Sequence, residues 1–470
     1  MRSRGDRKDL MRLFNTLTGK EELFEPHDGK IVKMYVCGVT PYSSTHVGHA
    51  LSYVVFDTLR RYLEFLGYEV KHVQNFTDVD DKIIERANEE GITGDQLTDR
   101  FINDFFATMD RLNVQRADSY PRATQEIPGI ISTINTLIDK EYAYPANGDV
   151  YFRVTKSSDY GKLSHRTLDG MIAGARIQVD ENKEHPMDFV LWKSAKPGEP
   201  SWESPWGPGR PGWHIECTAM ALDQLGDPLD IHGGGHDLVF PHHENEIAQS
   251  EAFTGRVPFT RYWVHNGLLQ FGDDKMSKSL GNLVSAEEAL SHYTPDALRI
   301  YFLDSHYRSP LSYSSDGAAA RERSMDRLRQ ALKTVSTDGE SLDSSSYKER
   351  FLLAMDDDLN TPQAIACLFD LAREINRASE SGKSTEVAQN TLKDLGSILG
   401  LTFEDKNVNS ADLAAKPFID LLVSTRQQLR EAKQYDLADT IRDELTNHGI
   451  TIEDKPQGSE WQYEFNPNST

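Results

Sequence analysis

The sequence predicts an α/β protein built round a parallel sheet, and three observations carry that expectation. The β-branched run from Ile31 to Cys37 ends at Gly38 and reads as a buried strand. From His46 to Leu66 apolar residues recur at helical spacing, and Gly67 supplies a helix stop. Glu69 to Phe76 reads as a second strand. Strand, helix and strand in that order form a βαβ unit, and hence a Rossmann-like sheet. Ligands of such sheets bind beyond the carboxyl ends of the strands. The turn at that place, Pro41 to His49, holds two histidines and Gly48.

The remaining elements follow in order. Residues 11–113 make the first half of the sheet domain, and 114–211, with short strands such as Val150 to Val154 and a Pro, Gly and Trp-rich stretch, read as an insertion. The sheet resumes over 212–285, where Leu229 to Gly235 is strand and loop and a helix is expected from Pro241, a residue suited to a first helical position. The chain turns helical near Ala286, and 286–346 closes in a Ser, Asp and Gly-rich linker from Ser336 to Ser346. A helical bundle over 347–405 and a small terminal domain over 406–470 complete the chain.

At 470 residues the chain exceeds one ordinary core, and its length suggests two to four domains. With 38% hydrophobic and 27% charged residues and no apolar run long enough to cross a bilayer, no membrane partner is expected. The start is basic and polar, unlike a signal peptide, and Met11 reads as an alternative initiation point. Three separated cysteines, Cys37, Cys217 and Cys367, are no disulfide framework and point to a reducing, cytoplasmic setting. A formal charge of −23 argues against general nucleic-acid binding, yet leaves room for one basic track.

Two motifs carry chemistry. His46-Val47-Gly48-His49 opens an apolar helix, so two imidazoles stand at a terminus that favours anions, and Gly48 leaves room for a base against the backbone. Lys275-Met276-Ser277-Lys278-Ser279 supplies cations on a loop flanked by Gly272 and Gly281. Alone, either is as well read as a turn filler or a solvated loop. Together and in this order they resemble the HIGH and KMSKS signatures of class I aminoacyl-tRNA synthetases, with Val47 in place of isoleucine. The resemblance implies ATP with Mg²⁺ as substrate, held by His46, Gly48, His49, Lys275 and Lys278. His46, His49, Lys275 and Lys278 then act as positioned donors to the phosphates, catalysing attack on the α-phosphate without a covalent nucleophile.

A second constellation joins Cys37, Cys217 in Gly-Trp-His-Ile-Glu-Cys, and His242 and Glu246 in Phe-Pro-His-His-Glu-Asn-Glu. Residues i and i+4 share a helix face, and two thiolates, an imidazole and a carboxylate suit Zn²⁺. On spacing alone, buried cysteines and capping residues remain the plainer reading. His243 and Glu244 are expected to point away from this face, and Asp78, Asp80 and Asp81 to cap a helix at Lys82.

These stretches, with Met34-Tyr35-Val36-Cys37-Gly38, resemble the cysteinyl-tRNA synthetase family from about Met11 to Trp461. The family's fold would make the sheet a catalytic domain with an insertion, followed by a stem-contact region, a tRNA-binding bundle and an anticodon-binding domain. The resemblance implies one zinc per chain on Cys37, Cys217, His242 and Glu246, taking the substrate thiolate. A soft metal separates cysteine from serine where an apolar pocket would not. It also implies an amino-acid pocket with Thr77, Trp213, His232 and Asp237, and tRNA contacts at Arg430, Asp439 and Asp454. The expected partners are L-cysteine, ATP and tRNA(Cys), and the expected state is a monomer. A cysteine ligase acting on an amino-sugar amine shares both signatures and the zinc residues but lacks the terminal unit. A non-catalytic paralogue would have lost the signatures, which are intact here.

Overall fold

Four parallel strands form the main sheet of the unit Met1–Phe403. The computed structural model describes residues 10–174, 181–271, 274–275, 284–404, 410–448, 450–455 and 458–463. The chain opens on an antiparallel hairpin, Arg12–Asn15 (β1) and Lys20–Leu23 (β2). The predicted βαβ unit follows as Ile31–Val39 (β3), Val47–Phe65 (α1) and Glu69–Phe76 (β4). Asp81–Glu90 (α2) is capped by the Asp80 side chain on Lys82 N, and Gly94–Arg111 (α3) by a reciprocal Thr93–Gln96 box.

Residues 114–211 are more regular than their sequence suggests. Ile127–Asp139 (α4) precedes Ala143–Ala146 (β5), Asp149–Phe152 (β6), Leu168–Gly174 (α5), Phe189–Ser194 (β7) and Gly209–Pro211 (β8). The four strands pair antiparallel in chain order. Strands of three to six residues are too short for an alternating pattern to stand out.

The central sheet resumes after Trp213–Leu225 (α6) with Leu229–Gly235 (β9), Glu244–Thr254 (α7) and Thr260–Asn266 (β10). Its order is β10-β9-β3-β4, parallel throughout, so the chain reverses direction across the sheet between β3 and β9. Burial along β9 and β10 is nearly continuous, as in strands covered on both faces. Leu269–Phe271 (β11) and Asp274–Lys275 (β12) form a short hairpin. Ala286–His292 (α8), Pro295–Leu303 (α9), Leu311–Tyr313 (β13) and Ser315–Lys333 (α10) lead to the bundle of Ser345–Asp356 (α11), Thr361–Glu380 (α12) and Glu386–Ile398 (α13). One apolar core runs from Val32 and Val36 of the sheet through Leu59 of α1 to Leu371 and Ile375 of α12.

The chain divides into two compact units, Met1–Phe403 and Glu404–Thr470. The second contains Ser410–Glu431 (α14), Tyr435–Asn447 (α15) and the hairpin Ile450–Lys455 (β14) with Gly458–Tyr463 (β15), packed round Ile419, Val423, Leu445, Ile450 and Ile452. Among the described residues no helix is long and apolar enough to cross a membrane.

Candidate active site and metal centre

The crevice where strand order reverses is the place a ligand is expected in an open α/β sheet. Cys37 lies near the carboxyl end of β3, and His232 lies on β9 beside it, with Tyr35 opposite His232 in the register. Cys217 comes from α6 and Glu246 from the first turn of α7. Cys37 Sγ is 3.8 Å from Cys217 Sγ, 3.7 Å from His242 Nε2 and 3.6 Å from Glu246 Oε1, and Cys217 Sγ is 3.6 Å from His242 Nε2. A tetrahedral zinc with arms of about 2.3 Å to sulfur and about 2.0–2.2 Å to nitrogen or oxygen sets sulfur–sulfur edges of about 3.8 Å and mixed edges of about 3.6 Å. These four edges match it, whereas His242 Nε2 and Glu246 Oε1 stand at 2.8 Å, hydrogen-bonded and closer than two ligands of one ion.

Electrostatics agree with a cation site. Burial pushes the Cys37 thiol well up, and the bond that thiol donates brings Cys217 down to about 6. Burial lowers His242, but Glu246 and Cys217 together outweigh it and raise the imidazole to about 10. Burial raises Glu246, yet His232 and His242 hold it well below the usual carboxylate range. Glu246 Oε2 lies 3.1 Å from His232 Nε2 but off hydrogen-bond alignment, so it is a buried oxygen with no hydrogen bond among the described residues.

Two expectations about this site need correction. Regular helix begins at Glu244, not Pro241, because Phe240 is extended (φ −140°, ψ 130°) and Val239–His243 forms one wide turn. A residue before proline is disfavoured in the helical region. His243 does not point away: its Nε2 is 3.2 Å from Cys37 Sγ, and the donor atoms of Cys37, His242, His243 and Glu246 lie within 4.8 Å of one another. Adjacent residues of an α-helix diverge by about 100°, but in the wide turn both imidazoles face the sulfur. The 3.2 Å separation is shorter than a mixed ligand edge and suits an N–H···S bond. Glu244 does turn away, accepting from the backbone N–H of Gly161, Leu163 and Ser164.

The nucleotide turn stands beside this floor. His46 caps α1, its Nδ1 accepting from His49 N at 3.2 Å, and the two rings stack at 3.6 Å. Burial lowers His46 to about 4 and takes His49 well below its ordinary value. Both are therefore neutral near pH 7, and the tautomer this bond requires leaves the His46 proton on Nε2. His49 Nδ1 is buried and unpartnered among the described residues. A Cβ on Gly48 would stand 3.0 Å from His46 Nδ1, so glycine lets the ring lie flat on the helix. Lys275 pairs with Gln270 in the β11–β12 hairpin. Residues 276–283, with Lys278 and Gly281, lie outside the described residues, as does Gly272. The chain beyond them is tied to the histidine turn, with Val47 N donating to Val284 O and Ala286 N to Thr45 O.

The pocket candidates gather here unevenly. Thr77 is buried just beyond β4 and donates its N–H to Val39 O. His232 stacks on Trp263 at 4.4 Å with Nε2 3.6 Å from Cys37 Sγ. Trp213 is not core: it is 39% exposed and stacks on His242 at 4.1 Å. Asp237 is exposed after β9, and its charge acts on His46. Arg430 and Asp439 are exposed on α14 and α15, and Asp454 lies on β14. Sequence reasoning missed a layer of imidazoles. His214 Nδ1 is 2.9 Å from His242 Nδ1, and His243 Nδ1 is 2.8 Å from His265 Nε2, whose ring bonds Thr16 Oγ1. The adjacent His214 and the doubled His242-His243 were the available signals.

Fold and site together define a class I aminoacyl-tRNA synthetase. Residues 23–322 match the family described as tRNA synthetases class I (C) catalytic domain, residues 350–404 the DALR domain, and residues 416–461 the cysteinyl-tRNA ligase anticodon binding domain. Cysteine–tRNA ligases of two Dehalococcoides mccartyi strains are 56% and 57% identical to it, each over 96% of this chain and 99% of theirs. That of Caldicellulosiruptor saccharolyticus is 50% identical over the same shares. The chain belongs to the cysteine–tRNA ligase family. Among solved structures, Mycobacterium tuberculosis methionyl-tRNA synthetase in complex with methionyl-adenylate shares the fold at 16% identity, with a TM-score of 0.60 over 79% of this chain and 89% of that one.

Proposed function

We propose that the protein activates L-cysteine with Mg-ATP, forming cysteinyl-AMP and pyrophosphate, and transfers the cysteinyl group to the 3′ end of tRNA(Cys). The observation that supports this reading is the convergence of Cys37, Cys217, His242 and Glu246, donor types suited to Zn²⁺, near the carboxyl end of β3. One zinc bound there would supply a soft Lewis acid that prefers the ionised sulfur of cysteine to the hydroxyl of serine.

The chain's own groups do the rest. Thr77, Trp213, His232 and Asp237 hold and orient the amino acid, its carboxylate turned toward the α-phosphate. His46 Nε2–H and the His49 ring donate to phosphate oxygens as charge builds in the in-line transition state, while Lys275 and Lys278 neutralise the triphosphate. Neutral imidazoles serve as donors without losing a proton. We assign residues 11–113 and 212–285 to catalysis, 114–211 to an insertion, 286–346 to acceptor-stem contact, 347–405 to further tRNA contact and 406–470 to the anticodon. Arg430, Asp439 and Asp454 belong to that last surface. The working form is a cytoplasmic monomer.

The test is tRNA charging by the full chain with radiolabelled cysteine, ATP and unfractionated tRNA, with zinc assayed in parallel. Cysteine esterified to tRNA with about one zinc per chain is expected. Cysteine activation without transfer would overturn the tRNA step, and charging by a zinc-free protein would overturn the metal filter.

A further inference from the structure

Strand β3 changes step where it reaches the cysteine and histidine cluster. Val36 stands opposite Gln74 of β4 and Val39 opposite Phe76, so Cys37 and Gly38 together face the single residue Asn75. Pairing of β3 with β9 also stops at Val36. Two residues against one make a β-bulge, which is uncommon between parallel strands, bends the chain and re-aims a side chain. The core shows the skipped step. Val32, Met34, Val36 and Val39 all pack in the cluster that includes α1, although strict alternation would turn Val39 to the other face.

A bulge takes backbone groups out of the ladder, and buried ones need other partners. Here side chains supply them. Gly38 N donates to Asn75 Oδ1 at 2.8 Å, and Cys37 O accepts from the Tyr53 hydroxyl. Beyond the bulge, Thr77 N donates to Val39 O at 3.2 Å. Because a backbone N–H can only donate, the amide oxygen of Asn75 faces Gly38, and its NH2 then donates to Thr77 Oγ1 at 3.4 Å. Asn75 is 1% exposed and Thr77 3%, so bulk water offers neither a substitute partner. A Cβ on Gly38 would stand 1.5 Å from Asn75 O, so at this point the two backbones touch. One buried amide therefore reaches both the strand end that carries Cys37 and the hydroxyl of Thr77.

We infer that Asn75 is a positioning residue for cysteine recognition: its side-chain oxygen holds the bulge that aims Cys37 at Cys217, His242 and Glu246, and its NH2 sets the Thr77 hydroxyl. This rests on the part proposed above for Cys37 and Thr77 in binding the amino acid. Asn75 touches no reacting atom; it acts through Gly38 and Thr77. The histidine turn is held separately, by the His46 cap and by the bonds of Thr45 and Val47 to Ala286 and Val284, so its loss falls on the amino acid and not on ATP binding.

The test uses the full chain as wild type, Asn75→Leu, Asn75→Ser and Asn75→Asp. Leucine keeps the shape of the side chain and excludes water but offers no polar atom. Serine is too short to reach Gly38 N, and it serves as the loss variant if leucine does not fold. Aspartate keeps the acceptor for Gly38 N and can accept from the Thr77 hydroxyl. Alkylation by iodoacetamide, followed at each cysteine by mass spectrometry of tryptic peptides, reports the aim of Cys37. Cysteine-dependent ATP–pyrophosphate exchange reports recognition. In the leucine and serine variants Cys37 is expected to react at least tenfold faster, while Cys367 of α12 stays within twofold of wild type. Their kcat/KM for cysteine falls at least tenfold with KM for ATP within twofold, and Asn75→Asp restores Cys37 protection to within threefold of wild type. Cys37 reacting at the wild-type rate in the folded loss variants overturns the inference, and so does a KM for ATP that rises in step with that for cysteine. Cys37 and Cys367 accelerating together would make Asn75 a folding residue only and overturn it as well, as would an aspartate variant no better protected than leucine. Absence of cysteine-dependent exchange in wild type would instead defeat the assigned substrate, leaving the alkylation comparison to judge Asn75.

Discussion

His214→Ala is expected to weaken zinc binding by tens of fold without unfolding the protein. Burial lowers His214 to about 3, so its ring is neutral and can accept a hydrogen bond. Its Nδ1 lies 2.9 Å from His242 Nδ1, while His242 Nε2 faces the two sulfurs at 3.6 and 3.7 Å. With a metal on Nε2, the His242 proton must stay on Nδ1, and His214 is its acceptor. Without metal the His242 ring, protonated on both nitrogens, can give up the Nδ1 proton and keep the one on Nε2 against Glu246, so the loss falls more on the metal-bound state. Leaving one buried N–H unsatisfied costs about 1–3 kcal/mol, equivalent to about 5- to 150-fold in affinity. The assay is competition for zinc against a chromogenic chelator at pH 7.5, with cysteine-dependent exchange alongside. His214→Gln, whose Oε1 can accept, should recover most of the loss. Zinc affinity of His214→Ala within threefold of wild type would refute the argument.

The other predictions concern the same molecule under different stresses. Cys217→Ser should lose zinc and, with it, preference for cysteine over serine in exchange; retained discrimination would argue against the metal filter. Lys278→Ala should lower the rate of adenylate formation at least tenfold with an unchanged far-UV spectrum, and near-wild-type turnover would remove the lysine from the mechanism. Arg299→Met should destabilise unit Met1–Phe403 by about 3–5 kcal/mol in urea unfolding, since Arg299 and Asp57 form an ion pair with 0% side-chain exposure on both partners. Burial lowers His46 to about 4 and His72 and His265 to about 3, so the unfolded chain binds more protons than the folded one below about 6.5. The contribution of these three groups should be complete above that pH and fall toward pH 4 by up to about 1.4 kcal/mol per pH unit for each group; urea midpoints equal at pH 7.5 and 5 would contradict this.

How much was legible depended on whether a feature was local. The βαβ unit was readable because α1 buries Leu51, Val55, Leu59 and Tyr62 at helical spacing, and because β4 carries its pattern over eight residues. The insertion's sheet was not, because β5 to β8 are short and their register depends on partners up to tens of residues away. Cys37, Cys217, His242 and Glu246 could be grouped only through resemblance: His242 and Glu246 share an i, i+4 spacing, but the two cysteines lie on other elements far along the chain. The inward turn of His243 was invisible because periodicity presumes a helix, and Phe240 breaks it. Burial of the Asp358 carboxylate against Phe14, Tyr307 and Arg308 was equally hidden. Its three partners lie 344, 51 and 50 residues away, and nothing in an acidic stretch of sequence says that one carboxylate is buried.

The crevice explains how the metal filter and the nucleotide turn proposed here can share one short stretch of chain. Cys37 and His46 are nine positions apart, on either side of the turn that leaves β3 and enters α1. Tyr53, one full turn beyond His49 on that helix, donates its hydroxyl to Cys37 O at 3.2 Å and ties the strand end to the helix. The helix in turn is locked by the core against β3, β4 and β9. On the function proposed, a sulfur held near Cys37 and a phosphate held at His46 would then be kept at a distance set largely by this strand-to-helix connection. An amino acid gripped by its sulfur presents its carboxylate at one reach only. Selectivity at the sulfur and geometry at the phosphate are thus consequences of the same rigid strand-to-helix connection, and loosening that connection should degrade both together.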